Sequence, residues 1–491
     1  MSQHSGTEQM IWFNDRFLPG PAEGAASVDR STIRPGWIDS HSHIIPTGLD
    51  LLKLNLRPCT NRQEVLDAVA DWNRSNPEGW LHAVQYDQTK FEGAKHLTKH
   101  DLDKISADRP ILLRHSNGHA SVANSAALAA AGITKVTEDP NGGEFVRDPD
   151  GTPNGVLLER AHENVTSSAP DPTLEEMVEA VMRAGELMSE FGITCATDMM
   201  TGRWNLEQEL TAYRLASEKG CKVRLRLYQQ WAKVLGSRGM TSERLKEHQE
   251  AMNPDLCKIS GLKIFADGAI GSATAAIHKA FKTTGGNGQL IYSEDRLKDM
   301  IKKGDEAGWS IAIHSIGDRS TDLVMDAIEA TQDPTRHRIE HVMILSDAQI
   351  ARLKKLGCRV SMQPEFLVRF GHAYKAQLPD DVWPHLNRAR SVLDAGIPLS
   401  LSTDRPIVVG DPEIGINYAV NRPEGFDPSE NITREKAEHA WTIGAADANG
   451  DAGVLGEIKP GQLADFRRGN QVWMGGKLVS GPLDPPMESS H

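Results

Sequence analysis

What this chain of 491 residues lacks already narrows what it can be. It has five cysteines, Cys59, Cys195, Cys221, Cys257 and Cys358, with no C-x-x-C pair among them. That spacing argues against a zinc ribbon and a disulfide framework, and it fits a reducing cytoplasm. No apolar run approaches the ~20 residues that a membrane span needs. The start, MSQHSGTEQMIWF, has no cationic segment followed by an apolar one, so no signal peptide is expected. Positive charge is in deficit. The 54 Lys and Arg against 67 Asp and Glu leave a net charge of −13, which argues against nucleic acid or an anionic membrane as partner. There is no internal repeat and no low-complexity tract. With 39% apolar and 25% charged residues, the chain has an ordinary globular composition.

What is present is a rhythm. From about residue 174, segments of helical spacing alternate with short apolar runs. The runs are ITCATDM, KVRLRLYQQ, LKIFADG, WSIAIHSIGD, HRIEHVM, RVSMQP and PLSLSTDRP. Adding GWIDSHSH near the start gives eight expected strands. Eight strands alternating with helices predict an α/β protein, a (β/α)8 TIM barrel. The barrel is expected to span residues 35–451. Between its first two strands an insertion of about 60–172 does not follow the rhythm. A connection that long folds as its own subdomain, and in a barrel it is expected over the catalytic face. IWFNDRFLPG and NQVWMGGKLVSG read as short hairpins. They predict a small β subdomain built from both chain ends, residues 1–34 and 452–491.

The chemistry-bearing residues gather at strand ends. His41 and His43 form a His-x-His at the end of the first strand, and their spacing puts both on one face. Alone this is weak, because 18 His in 491 residues make roughly 0.7 such triplets expected by chance. The rest strengthens it: Lys263 lies in the fourth strand, His314 ends the fifth, His341 the sixth and Asp404 the eighth. Imidazole nitrogens with one carboxylate suit zinc or a similar divalent ion. A charged lysine inside an apolar strand is costly, so Lys263 needs a partner or a neutral form.

These stretches resemble the amidohydrolase superfamily, within it amidohydrolase family 3, the YtcJ-like proteins related to N-substituted formamide deformylase. The resemblance covers most of the chain. It rests on PGWIDSHSH, GHASVANSAAL, GVLLERA, LKIFADGAIGS, HSIGDRSTDLVMDAIE, RHRIEHV, SMQPEF, STDRPI, DPEIGINYAVNR and LGEIKPGQLADF, in that order. It implies hydrolysis of a carbon–nitrogen bond, amide or formamide-like, in a small molecule, by hydroxide held between two divalent ions, most simply zinc. His41 and His43 are implied as ligands of one metal and His314 and His341 of the other. Lys263 is implied as a carbamate, made with carbon dioxide and bridging both. Asp404 is implied as a metal ligand and proton carrier. His119, in SNGHASVAN of the insertion, is implied to face the site as a substrate contact that helps catalysis.

The chain departs from the family pattern in a short N-terminal section and a reduced stretch after LAD, so the β subdomain is expected to be small. It also has Arg405 directly after Asp404, where the family commonly has a small residue. Arg405 has two open readings: a bidentate clamp on a substrate carboxylate, or a brace for its own loop. Two other functions stay open as well. One is a mononuclear deaminase or ester hydrolase, although many such deaminases have a glutamate where Gly317 stands. The other is a binding protein without catalysis. A homodimer is the expected assembly.

Overall fold

The computed structural model describes residues 9–116, 120–140 and 143–482. Eight strands share one parallel sheet: β1 (Trp37–Ser42), β2 (Ile193–Thr201), β3 (Arg224–Gln230), β4 (Cys257–Phe265), β5 (Ile311–Ser315), β6 (Arg338–His341), β7 (Arg359–Met362) and β8 (Leu399–Leu401). They are the eight expected strands, each paired in parallel with the next in chain order. Almost every residue of β1 and β2 is buried, as in a sheet covered on both faces. The intervening helices form where their patterns say. Leu174–Glu190 buries Met177, Val181, Ala184 and Met188 as one stripe. Asp347–Leu356 starts on a Ser346/Gln349 capping box and stops at Gly357, whose φ of 67° suits glycine.

The sheet closes where β1 meets the segment after β8. Asp404 N–H donates to the His41 carbonyl and His43 N–H to the Arg405 carbonyl, both at 2.7 Å. Asp39 reinforces this seam. Its carboxylate accepts from Thr403 N–H at 3.1 Å and from the Thr403 hydroxyl at 2.6 Å. The result is an α/β barrel, with the candidate residues carried at the C-terminal ends of its strands.

The chain divides into two compact units, one of the described residues through Thr47 and from Met177 onward, the other Gly48–Glu176. The second unit starts earlier than the spacing near residue 60 implies, because Leu54–Asn55 is already a strand of its own sheet. That sheet has six strands. Leu54–Asn55, Leu81–Tyr86 and Ile111–His115 run parallel, and Ala120–Ala123, Pro153–Glu159 and Gly143–Arg147 continue it antiparallel. Leu56, Val65, Val69, Leu81, Ile111 and Val122 belong to its core.

The chain ends build two small sheets. Gln9–Phe13, Arg16–Leu18 and Ala26–Asp29 form the first. Arg34–Pro35, Phe466–Arg468, Gln471–Met474 and Lys477–Ser480 form the second. The hairpins Gln9–Phe13 with Arg16–Leu18 and Gln471–Met474 with Lys477–Ser480 close on two-residue turns with positive φ at both positions, Asn14-Asp15 and Gly475-Gly476. Met10, Phe17, Ile33 and Phe466 share one apolar cluster between the sheets. Among the described residues, no helix is long and apolar enough to cross a membrane.

Candidate metal centre

Five of the six proposed metal-site residues belong to barrel strands or their immediate ends: His41 and His43 at β1, Lys263 in β4, His314 in β5 and His341 as the last residue of β6. Asp404 follows β8. They converge. One ligand atom each from His41, His341 and Asp404 lies within 4.8 Å of the others. Asp404 Oδ1 is 2.9 Å from His43 Nε2 and 3.4 Å from His41 Nε2. The His314 ring centroid is 4.6 Å from that of His341, which is 4.9 Å from that of His41. Two of these side chains sit on uncommon backbone. His341 has φ 73° and Asp404 φ 58°. Such non-glycine conformations cost about 1–3 kcal/mol each and persist where the surroundings impose them, often at functional sites.

Hydrogen bonds set which nitrogen of each ring is free. His41 Nδ1–H donates to Glu340 Oε2 at 2.6 Å, which leaves Nε2 with its lone pair. His341 Nδ1–H donates to Gln363 Oε1 at 2.7 Å, again leaving Nε2. His314 Nε2–H donates to the Gly268 carbonyl at 3.1 Å, so there Nδ1 is free. An outward ring bond that fixes the tautomer is the usual arrangement of metal-binding histidines. Gln363 is itself held by Ser402, to whose hydroxyl its amide donates at 2.9 Å. Asp267, after β4, accepts from the Ile316 and Gly317 N–H groups and from the Ser320 hydroxyl, and so ties the end of β4 to the turn after His314.

The electrostatics fit a cation site. Burial depresses the pKa values of His41 and His341, and that of His314 down to about 3, which favours the neutral imidazole. Burial alone would raise Asp404, but the neighbouring His41 and His43 hold it well below the usual carboxylate range. Burial raises Asp39 to about 7 despite its bonds to Thr403. Lys263 is the misfit. It is 2% exposed, and among the described residues its ammonium has no hydrogen-bond partner. It lies 5.0 Å from the Phe265 ring centroid, and burial brings its pKa down to about 8.

Arg405 is half-buried, with its guanidinium 5.7 Å from the Phe191 ring centroid and its stem against Gly410. His119 lies outside the described residues. Spacing alone missed Glu340, Arg338, Gln363, Asp267 and Asp39. Asp39 had a signal, since it stands two residues before His41 as His43 stands two after. Glu340 reads only as a polar neighbour of His341.

A parallel barrel with imidazoles and a carboxylate at its strand ends is the scaffold of a metal-dependent hydrolase. The sequence profile of the amidohydrolase family matches residues 31–467, and the chain belongs to that family. It is 30% identical to the putative amidohydrolase YtcJ of Bacillus subtilis, over 91% of this chain and 85% of that one. It is 29% identical to the N-substituted formamide deformylase of Arthrobacter pascens, over 94% and 86%. A solved structure of an uncharacterized metal-dependent hydrolase from Pyrococcus furiosus superposes with a TM-score of 0.74 at 25% identity, covering 93% of both chains. The family and these neighbours imply use of a divalent metal.

Proposed function

We propose that this protein hydrolyses a carbon–nitrogen bond, of amide or formamide type, in a small molecule, with two divalent ions held at the strand ends. The observation that carries the reading is the convergence of three free imidazole nitrogens and the Asp404 carboxylate around a buried lysine that has no hydrogen-bond partner among the described residues. The donor set fits a borderline ion such as zinc. His41, His43 and Asp404 would hold one ion and His314 and His341 the other. Lys263 as a carbamate would bridge them, since its neutral amine, once deprotonated, adds to carbon dioxide with loss of a further proton and so puts an anion between cations. When bound, the ions supply Lewis acidity and bring the pKa of water towards neutrality.

The chain's own part is positioning and proton transfer. Water adds to the substrate carbonyl carbon, and Asp404 accepts the proton it gives up. As the C–N bond breaks, Asp404 returns that proton to the departing nitrogen. His119 is the proposed contact of the insertion with the substrate carbonyl oxygen. The relative named as a formamide deformylase supports the substrate class. The five free cysteines, four of them buried, support a cytoplasmic location.

The deaminase reading loses support at Gly317. A Cβ there would stand 1.9 Å from the Ala276 carbonyl oxygen, so no glutamate fits on this backbone. The test is to assay purified protein, with its metal content measured, against a panel of N-formyl and N-acyl amines. Hydrolysis that disappears with a chelator and returns with zinc is expected; amine release unaffected by metal removal would refute the reading.

A further inference from the structure

The His41 ring rests on a buried ion pair that no part of the proposed reaction uses. Glu340 is fully buried, and its Oε2 accepts both His41 Nδ1–H at 2.6 Å and Arg338 Nη2–H at 3.1 Å. Arg338, equally buried, also donates from Nε to Glu340 Oε1 at 2.5 Å, which makes the pair bidentate. Its remaining donors reach further. Nη2 donates to the Ser40 carbonyl at 3.0 Å, directly before His41. Nη1 donates to the Ala448 carbonyl at 3.1 Å and to Asn449 Oδ1 at 3.2 Å. The guanidinium lies 5.5 Å from the Tyr228 ring centroid. One arginine thus ties together β6, β1, β3 and the segment at 448–449.

We propose that Glu340 and Arg338 are a positioning pair for the metal centre. Glu340 holds His41 in the Nδ1–H tautomer with Nε2 aimed at Asp404, and Arg338 balances the carboxylate and locks it to the backbone of β1. The inference rests on the reading of His41 as a metal ligand. Two buried charges in this arrangement are a poor source of stability, since apolar residues of like volume often replace such pairs without loss. A bond on the far nitrogen of a ligand histidine, in contrast, commonly changes metal affinity 10–100-fold. The geometry therefore assigns the pair to the site rather than to the fold.

Removing one partner alone strands a buried charge, and that variant is liable to misfold. The informative comparison removes both charges. R338M/E340Q keeps an amide oxygen for His41 Nδ1–H to reach, and R338M/E340L keeps none. Zinc affinity of the metal-stripped protein is read by competition with a chromophoric chelator, beside H41A as control. R338M/E340L is expected to lose about 10–100-fold in zinc affinity, with R338M/E340Q recovering much of it. Cobalt loaded in place of zinc is expected to show an altered visible spectrum in the leucine variant. Equal affinity in wild type and both double variants would overturn the pairing. Unchanged zinc binding in H41A would instead overturn the reading of the metal site itself. Imidazole nitrogen shifts of histidine-labelled wild-type protein decide the matter if the variants do not fold: His41 must carry its proton on Nδ1, and a proton on Nε2 refutes the proposal.

Discussion

Replacing Lys263 by methionine is expected to stabilise the metal-free protein while abolishing metal binding. Methionine matches the length of the stem and removes an amine that is 2% exposed and, among the described residues, without a hydrogen-bond partner. Burial takes Lys263 from its ordinary pKa of 10.5 to about 8. The unfolded chain therefore keeps the proton until pH passes 10.5, while the folded chain releases it near 8. Below about pH 8 the fold must hold a charge that it solvates poorly, and the full penalty applies. Between the two values the penalty fades, and above both it is gone. At 1.36 kcal/mol per pKa unit the difference amounts to about 3 kcal/mol at neutral pH. The assay is urea denaturation of wild type and Lys263→Met, metal-stripped in buffer free of carbon dioxide, followed across the barrel's transition at about pH 7 and about pH 10.5. A variant no more stable than wild type at the lower pH, or one whose advantage persists undiminished at the higher, would refute the reasoning.

Asp404→Asn keeps the side-chain shape but cannot accept a proton, so kcat on the true substrate should fall about 10²–10⁴-fold, as read by steady-state kinetics. Metal analysis of protein prepared with zinc and bicarbonate should give near two ions per chain, and a value near one would remove the bridging role of Lys263. Gly317→Ala should destabilise the barrel by about 1–3 kcal/mol or more in thermal melts, because its Cβ overlaps the Ala276 carbonyl. Arg405→Ala separates its two readings in steady-state kinetics: a KM rise of about tenfold goes with the carboxylate clamp, and an unchanged KM with the loop brace.

The barrel was legible because each of its strands carries its own signal. An apolar run such as IAIHS or LSL between helical segments reads as a buried strand without knowledge of its neighbours. The site was legible for the same reason, since strand ends carry the unusual residues and a barrel brings strand ends together. What was not legible depends on partners distant in sequence. Glu340 is one more polar residue until β6 stands opposite β1 and brings it to His41, 299 residues away. That the chain ends form two separate sheets was not legible, because hairpin patterns say where a strand turns, not which sheet it joins. The sheet of the insertion mixes parallel and antiparallel pairing, and no periodicity in its sequence encodes that order.

The seam between β1 and the segment after β8 gives the metal centre a second meaning. Its donors come from opposite ends of the barrel sequence, and Asp39 and Thr403, which clasp that seam, are 364 residues apart. Contacts of such separation cannot form until both segments of the chain have been made. A nascent chain that has emerged only as far as β7 holds His41, His43, Lys263, His314 and His341, but it lacks the strand that completes the ring. On the proposed function, full occupancy by metal would therefore certify a finished barrel, and a truncated or misassembled chain would declare itself by failing to retain metal.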